Sequence, residues 1–132
     1  MKISHGTQSI ILYENRRIIY SKGTGETNYI DLLWLKNNIL KIAENFNNQK
    51  WIYLADCIDM KPVNSDEATI LIELTKELPK YNCIAIGFLE GDSIMLKTQT
   101  RIHTRLSNSE LYEAHFQNEE EALEWAKKEF NI

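Results

Sequence analysis

The stretch Trp51–Leu78 constrains the fold of this chain more than any other part of its sequence. It begins with the run WIYLA, and short continuous apolar runs of this kind are typical of interior parallel strands. A polar segment with Pro62 follows, and Asn64 stands three residues before Glu67, which is the spacing of a capping box at a helix start. Apolar residues then recur at intervals of three and four until Pro79 ends the pattern. The stretch therefore predicts a buried strand, a loop and an amphipathic helix.

Apolar runs elsewhere in the chain predict further strands. Cys83–Leu89 is a second continuous run and suits another central parallel strand. Ser9–Tyr13 and Arg17–Tyr20 are β-prone and are separated only by a short polar link, so they predict an opening β-hairpin. Ile3 is expected to extend the first strand of this hairpin backwards. We interpret residues 22–25 (KGTG) as a plain connector after the second strand.

Apolar residues at spacings of three and four predict three more helices. The first is expected over Tyr29–Phe46 after a cap at Asn28, the second over Ile94–Leu106, and the last after a cap at Asn118. Leu111–Phe116 alternates loosely and predicts a fifth strand near an edge of the sheet. On the helix over residues 94–106, the residues expected to face the core are Met95, Ile102 and Leu106.

The predicted order of elements is ββαβαβαβα, which is typical of α/β proteins. Strands that alternate with helices after a hairpin predict a mixed, largely parallel sheet of five strands, accompanied by four helices. A chain of 132 residues is long enough to bury such a core, so residues 1–132 are predicted to form a single domain. No stretch approaches about 18 apolar residues and the start, MKISHGTQS, has no apolar signal region, so we expect a cytoplasmic protein without a transmembrane segment.

Charge and motif content argue against several classes of function. The formal net charge of −4 disfavours a nucleic-acid-binding protein, which usually carries a basic excess. Cys57 and Cys83 have no CxxC spacing, and the histidines have no HxH or HExxH spacing. No GxSxG element is present in the sequence either. We therefore expect no metal, no cofactor and no enzymatic activity, and an enzyme that uses Asp56 or Cys57 is the least favoured hypothesis.

Two segments, together with the order of elements, carry a family resemblance. One is the strand that ends at Asp56, with the capped helix after it, and the other is HFQNEEEALEWAKKEF, a Phe followed by acidic residues and Ala-Leu-x-Trp. In this order they resemble the STAS fold of anti-sigma-factor antagonists, and more closely the SpoIIAA-like proteins grouped as STAS-like or SEC14-like. The resemblance extends from Ser9 to Phe130. It implies a regulatory domain that binds another protein.

The resemblance also draws attention to the start of the second helix. In antagonists of this family an Asp-Ser-Ser-Gly segment stands there, and one of its serines is phosphorylated by a partner kinase. The corresponding residues here are Asn64, Ser65, Asp66 and Glu67. The resemblance thus implies Ser65 as a candidate phosphorylation site, although Asp66 replaces the second serine and would repel a phosphate that the helix dipole attracts. Helix capping by Asn64 and Ser65 explains the same residues without a phosphate.

Asp56 is the first candidate binding residue that the strand pattern indicates. It stands at the predicted carboxyl end of a central strand, where open α/β sheets commonly bind their ligands. With Asp59 it could contact a polar ligand or a cation, although two acids are too few for a metal site. The alternative is that Asp56 hydrogen bonds to the backbone of a turn or is solvated in a loop.

A basic stripe is the most distinctive charge pattern in the sequence. Lys97, Arg101 and Arg105 recur at every fourth position of the predicted third helix, so they lie on one face. In an acidic protein such a stripe suits an acidic protein partner, a phosphate-bearing ligand or an anionic lipid head group. A solvated face paired with nearby carboxylates is the other interpretation.

Two functional hypotheses remain open on the sequence alone. The favoured one is a non-enzymatic, cytoplasmic STAS-like interaction or regulatory domain, which binds a protein partner, or a second copy of itself, through residues 56–67. The alternative is a domain that binds a small ligand or a lipid head group with a strand-end pocket near Asp56 and the basic stripe. A large pocket beside Asp56 would favour the alternative. An exposed apolar patch at the second helix would favour a partner or a homodimer.

Overall fold

A six-stranded sheet with helices on both faces forms the centre of the computed structural model. The structure describes residues 1–13, 15–108 and 110–132, with Ile94 described by its backbone alone. Glu14 in the predicted hairpin link and Ser109 after the predicted third helix lie outside the described residues. The strands are β1 (Lys2–His5), β2 (Gln8–Leu12), β3 (Ile18–Gly25), β4 (Trp51–Met60), β5 (Cys83–Leu89) and β6 (Tyr112–Phe116). The helices are α1 (Tyr29–Ala43), α2 (Ser65–Glu77), α3 (Ile94–Ser107) and α4 (Glu119–Phe130).

The strands lie across the sheet in chain order, from β1 to β6. The strands β1, β2 and β3 pair antiparallel, whereas β3, β4, β5 and β6 pair parallel. The predicted α/β class, the mixed sheet, the β2–β3 hairpin and the four helices are therefore confirmed. Helices α1, α2 and α3 lie on one face of the sheet, and α4 covers the other.

The prediction of five strands is wrong, because the residues at the start form a strand of their own. Lys2–His5 pairs antiparallel with β2, so Ile3 does not extend that strand backwards. The chain reverses at Gly6, whose φ of +56° favours glycine. The Asp31 carboxylate accepts hydrogen bonds from the backbone N–H and the hydroxyl of Thr7, both at 3.0 Å. The turn therefore depends on a contact with α1, and a Cβ atom on Gly6 would lie 2.3 Å from that carboxylate.

Both β3 and β4 are longer than their apolar runs predict. Residues 22–25, interpreted as a connector, form the end of β3, and β4 continues past Asp56 to its end at Met60. The two extensions pair with each other in parallel after a register shift beside Lys22. Backbone pairing between two strand ends needs no apolar alternation, which is why the pattern of the sequence does not show it. The connection between β4 and α2 consists only of residues 61–64.

Helix α3 buries a different face from the one its apolar residues predict. Met95, Ile102 and Leu106 were expected to face the core, but 65, 45 and 59% of their respective surfaces are exposed. The hydroxyls of Thr104 and Ser107 on the buried face donate to carbonyls of the same helix, four and three residues earlier in the chain. These bonds satisfy the hydroxyls without water and make a polar face compatible with burial. The buried side chains of α3 are Leu96, Thr100, His103, Thr104 and Ser107.

The apolar core consists of two layers, one on each side of the sheet. Trp51 is completely buried in the layer under α1 and α2, and its indole N–H donates to the carbonyl of Tyr81 at 2.6 Å. Ala122 and Ala126 bring α4 close to the sheet in the other layer, where Leu54 is completely buried. Apolar burial on both faces therefore fixes the parallel strands, and with them the position of the β4–α2 connection.

Candidate functional site

The connection between β4 and α2 is held by two sets of hydrogen bonds. The side-chain oxygen of Asn64 accepts from the N–H of Glu67 at 2.9 Å, and the Glu67 carboxylate accepts from the N–H of Asn64 at 3.1 Å. This reciprocal pair confirms the predicted capping box. The side-chain amide of Gln99 on α3 accepts from the N–H of Val63 at 3.2 Å and donates to its carbonyl at 3.0 Å. No sequence spacing indicates the Gln99 contact, which fixes the connection to α3.

The first turn of α2 presents Ser65 and Asp66 to solvent. Ser65 is the first residue of the helix and Asn64 is its N-cap, so the structure gives the capping role to Asn64 alone. The hydroxyl of Thr69 donates to the Ser65 carbonyl at 3.1 Å. Within the part of the chain that the structure describes, the Ser65 hydroxyl itself has no hydrogen-bond partner. Ser65 is therefore accessible on the outer surface of α2.

The structure separates Asp56 from Asp59 instead of joining them in one site. Asp56 is only 6% exposed, and its carboxylate accepts from the N–H of Ile58 at 3.1 Å and from the hydroxyl of Tyr20. Burial, together with the hydrogen bond to Asp56, raises the pKa of Tyr20 well above its ordinary value. Asp59 is exposed and forms an ion pair with Lys22 at 3.5 Å. Asp56 is therefore a buried hydrogen-bond acceptor that shapes the end of β4. The prediction that this strand ends at Asp56 is wrong, because β4 continues to Met60.

A cavity of about 60 Å³ lies between the sheet and helices α1, α2 and α3. The hydroxyls of Ser21 and Tyr53 line it, 2.6 Å apart, and so does the imidazole of His103, whose pKa is lowered by burial. Pockets for small molecules usually measure at least about 300 Å³, whereas a buried water needs on the order of 15 Å³. The cavity therefore has room for a few waters and falls short of the pocket that the ligand hypothesis needs.

The two thiols lie in surroundings that suppress their reactivity. Cys57 lines the cavity, and Cys83 is buried in the core. Burial raises the pKa of each thiol to about 12. Because the thiolate is the nucleophile, a thiol with this pKa is almost unreactive at neutral pH. The structure thus lends no support to chemistry at Cys57.

The basic stripe of α3 lies on the surface of the protein. Arg101 and Arg105 are exposed and Lys97 is half-buried. Arg101 and Arg105 border a shallow depression that also contains Asn108 and Glu113. None of the three cations forms an ion pair with a residue that the structure describes. The structure therefore does not show the basic stripe paired with nearby carboxylates, which was the other interpretation of the sequence.

A buried carboxylate that sequence reasoning missed lies at the end of β5. Glu90 is 1% exposed, and it accepts a hydrogen bond from the hydroxyl of Thr100 on α3. Its other oxygen lies 2.5 Å from Nδ1 of His115 on β6, and the His115 ring stacks on Phe88 at 5.4 Å between centroids. Glu90 and His115 are far apart in the sequence, and only the parallel register of β5 and β6 brings them together. Glu90 thus connects α3 to two strands.

The described residues offer no assembled metal site. No group of three or more His, Cys, Asp or Glu side chains converges in 1–13, 15–108 and 110–132. None of the helices in these residues is long and apolar enough to cross a membrane. The site consists of an exposed connection with two buried supports, Asp56 and Glu67, and a neighbouring helix that carries cations.

Comparison with known proteins identifies the fold. No protein-family model matches the sequence, and no curated protein sequence matches it significantly. An uncharacterised protein of the DUF3478 family from Shewanella loihica PV-4, with a SpoIIAA-like fold, superposes with a TM-score of 0.69 at 13% identity, over 93% of this chain and 98% of the other. The anti-sigma factor antagonist SpoIIAA, in its unphosphorylated form, gives 0.64 at 12% identity, over 89% and 96%.

A third structure comes from a complex of a cyclase with its activator. It is that of the diguanylate cyclase SiaD with its activator SiaC from Pseudomonas aeruginosa, which gives a TM-score of 0.61 at 6% identity, over 88% of this chain and 99% of the other. Of these neighbours, one is described as having a SpoIIAA-like fold and another is SpoIIAA itself. The chain therefore has the α/β fold of SpoIIAA-like domains, as the sequence resemblance implies.

Proposed function

We propose that this chain is a single, non-enzymatic regulatory domain of the cytoplasm, which binds a protein partner through residues 56–67. One observation carries the proposal: the segment is exposed along most of its length, yet it is fixed by the capping box and by Gln99. Exposed connections on a rigid scaffold are common binding elements, because little entropy is lost when they bind. The exposed residues of the segment are Ile58, Asp59, Lys61, Pro62, Asn64, Ser65 and Asp66.

Side chains within the segment divide into contacting and positioning groups. Ile58, Asp59 and Asp66 point into solvent, and we assign the partner contacts to them. Asp56 accepts from the N–H of Ile58 and so positions the end of β4. Asn64 fixes the start of α2 through the capping box. Substitution of a contacting residue should lower partner affinity directly, whereas loss of Asp56 or Asn64 should lower it by loosening the segment.

The fold neighbours support this proposal without establishing it. SpoIIAA is named for antagonism of an anti-sigma factor, and SiaC is named as the activator of a cyclase with which it forms a complex. Both names describe regulation through another protein. A protein partner for the present chain is consistent with that common property of the fold.

Ser65 is the residue of this segment that we propose as a phosphorylation site. Its hydroxyl is exposed at the first position of α2, where free backbone N–H groups and the helix dipole favour an added phosphate. Asp66 and Glu67 follow at once and would oppose that charge. The mass of the intact protein purified from its own cells tests phosphorylation of Ser65. One added phosphoryl group that maps to Ser65 supports the assignment, and an unmodified chain contradicts it.

The second candidate function is binding of a small ligand or a lipid head group. The basic stripe favours it, because Lys97, Arg101 and Arg105 are not paired with carboxylates of the described residues. The cavity near Asp56 disfavours it, because about 60 Å³ cannot hold a head group. We therefore rank partner binding first.

The experiment that tests partner binding is affinity capture from the protein's own cells with matched charge variants. Asp59→Arg with Asp66→Arg reverses two exposed acids of the segment, and Glu124→Arg with Glu129→Arg makes the same charge change on α4. We expect one protein to be captured by the wild type and the α4 variant and to be lost from the segment variant. Equal capture by all three, or capture of nothing, would contradict the proposal.

Light scattering on the purified protein distinguishes a homodimer from a foreign partner. A dimer that the Asp59→Arg/Asp66→Arg variant abolishes would place a second copy on the segment. A monomer in every variant is the result that agrees with a foreign protein partner.

A further inference from the structure

Two parallel stripes of side chains cover the outer surface of α3. The apolar stripe consists of Met95, Ile102 and Leu106, which have 65, 45 and 59% of their surface exposed. Their spacings of seven and four residues place them on one helix face. An exposed apolar stripe loses the free energy that burial would provide, so it commonly marks a surface that another molecule covers.

The basic stripe lies on the other side of the exposed surface of α3. Lys97, Arg101 and Arg105 are spaced by four residues, and at about 100° per residue the centre of their stripe lies about 120° around the helix from the centre of the apolar stripe. Within the described chain they have no acidic partner. The outer surface of α3 therefore combines an apolar surface with three available cations.

The dimensions of this surface match those of a short helix. Met95 and Leu106 are eleven residues apart, which corresponds to roughly 16 Å at the rise of an α-helix. An amphipathic helix of three to four turns has the same length, and helices bind apolar grooves through residues spaced by three, four and seven. A row of carboxylates beside such an apolar stripe would meet the cations of α3.

From these observations we propose that the outer surface of α3 binds an amphipathic helix of the partner protein, one that presents an apolar stripe beside a row of carboxylates. The inference deepens the proposed function, on which it rests, by naming the chemistry of the partner. Two hydrogen bonds between the side chain of Gln99 and the backbone of Val63 join α3 to the β4–α2 connection. One partner can therefore contact both elements of the surface at once.

The overall charge of the chain favours a protein helix over an anionic membrane. The formal net charge is −4, so the protein as a whole is repelled by an extended negative surface. A short acidic helix is different, because charges beyond a Debye length of about 8 Å are screened and only the local cations act on it. The three cations of α3 are enough for that local attraction.

The chain itself does not supply a matching helix among its described residues. Helix α4 is rich in glutamate, but none of its large apolar residues is exposed in the described chain, so it lacks the apolar stripe. Helix α1 exposes Tyr29, Ile30 and Leu33, but its only carboxylate, Asp31, is buried. A second copy of this chain is therefore a poorer occupant than a foreign helix.

A designed peptide provides a direct test, since the natural partner is unidentified. The probe is a fluorescent helical peptide of about 15 residues with leucines on one stripe and glutamates on the next, and its control carries lysines in place of the glutamates. We expect the acidic peptide to bind the full-length protein at least about tenfold more tightly than the basic one, with an affinity that falls as salt is added. Equal binding of the two peptides, or none, would overturn the inference.

Variants of the protein show whether the peptide binds at α3. Arg101→Gln with Arg105→Gln removes two cations of the stripe, and Lys127→Gln with Lys128→Gln removes two exposed cations of α4. We expect about a tenfold loss of peptide affinity for the α3 variant and no loss for the α4 variant. Ile102→Ser, on the exposed apolar stripe, should cause a similar loss while leaving the unfolding midpoint unchanged. Equal losses in the α3 and α4 variants contradict the inference.

Two further measurements identify the other occupants. Binding to vesicles that contain phosphatidylserine, without binding of the acidic peptide, would assign the surface to a membrane and overturn the inference. A dimer that Ile102→Ser abolishes would assign the outer surface of α3 to a second copy of the chain and would also overturn the inference. If the peptide fails to bind while the wild type still captures a protein that Asp59→Arg/Asp66→Arg loses, this inference alone is contradicted. If the wild type captures nothing, or the segment variant captures as well as the wild type, the proposed function is contradicted.

Discussion

Helices α3 and α4 lie on opposite faces of one sheet and are held there in opposite ways. Helix α4 inserts Ala122 and Ala126, both completely buried, into an apolar layer, and its Trp125 ring lies 5.2 Å from those of Phe116 and Phe130. Helix α3 buries hydroxyls, an imidazole and Leu96, and it turns its apolar stripe towards solvent. Its polar links to the rest of the protein include those of Gln99 and of Thr100, which bonds to Glu90.

The two helices show that the same amphipathic pattern can face either the core or the surface. Apolar burial holds a helix in proportion to the area removed from water, and this term is spread over many atoms. A few hydrogen bonds hold a helix at single points, and the loss of one can loosen it locally. We therefore expect α4 to share the global stability of the domain and α3 to open separately.

The largest expected effect concerns the apolar layer under α4. Leu54 is completely buried there, so Leu54→Ala should lower the free energy of unfolding by about 2–5 kcal/mol, through lost burial and the cavity left behind. Leu106→Ala makes the same chemical change on the exposed stripe of α3 and should cost less than about 0.5 kcal/mol. Urea unfolding measures both. Similar losses in the two variants would contradict the view that apolar burial holds α4 but not the outer side of α3.

The next effect concerns the polar support of α3. Glu90→Ala removes the acceptor of Thr100 and the partner of His115, so it should cost about 1–3 kcal/mol. The loss should appear as faster amide exchange in α3, with little change in α4. Glu90→Gln keeps one acceptor oxygen and should cost less. Equal acceleration in both helices would show that Glu90 supports the whole domain and not α3 alone.

A smaller effect separates the two polar residues at the start of α2. Asn64→Ala removes the N-cap and should destabilise the protein by about 0.5–2 kcal/mol. Ser65→Ala leaves the cap in place and should change stability by less than about 0.5 kcal/mol. Thermal unfolding of the two variants side by side decides which residue is the cap, and a larger loss for Ser65→Ala would reverse the assignment.

The smallest effect is a pH dependence specific to α3. Burial lowers the pKa of His103 in the folded state below its ordinary value of 6.5, so below pH 6.5 the unfolded chain takes up the proton more readily. The free energy of unfolding should therefore fall as the pH drops from 6.5 towards the folded pKa, and His103→Gln should reduce this slope. Exchange of α3 amides at about pH 7.5 and pH 5.5 measures the effect. An unchanged slope in the variant would assign the dependence to other groups.

Local signals were enough to predict much of this fold from the sequence. The caps at Asn28, Asn64 and Asn118 lie where they were expected, because capping depends on residues only three positions apart. The continuous apolar runs predicted the central parallel strands β4 and β5 correctly, because interior strands are buried on both faces.

The errors arose where distant residues decide the structure. The extra strand β1 depends on a turn that Asp31 of α1 holds, and the register of β5 and β6 brings Glu90 to His115. The face of α3 was assigned incorrectly because buried hydroxyls such as that of Thr104 donate within the helix, and hydropathy alone does not show this. The candidate site at Asp56 changed for the same reason, since the hydroxyl of Tyr20 on the neighbouring strand donates to its carboxylate.

Hydrogen exchange of the full chain, with and without the acidic probe peptide, compares α3 with α4 and locates the bound peptide in one experiment. In the free protein we expect amides of α3 to exchange faster than those of α4, because α3 is held by fewer apolar contacts. Addition of the peptide should protect α3 and the β4–α2 connection and leave α4 unchanged. Equal protection of α3 and α4 in the free protein, or peptide protection confined to α4, would contradict the account.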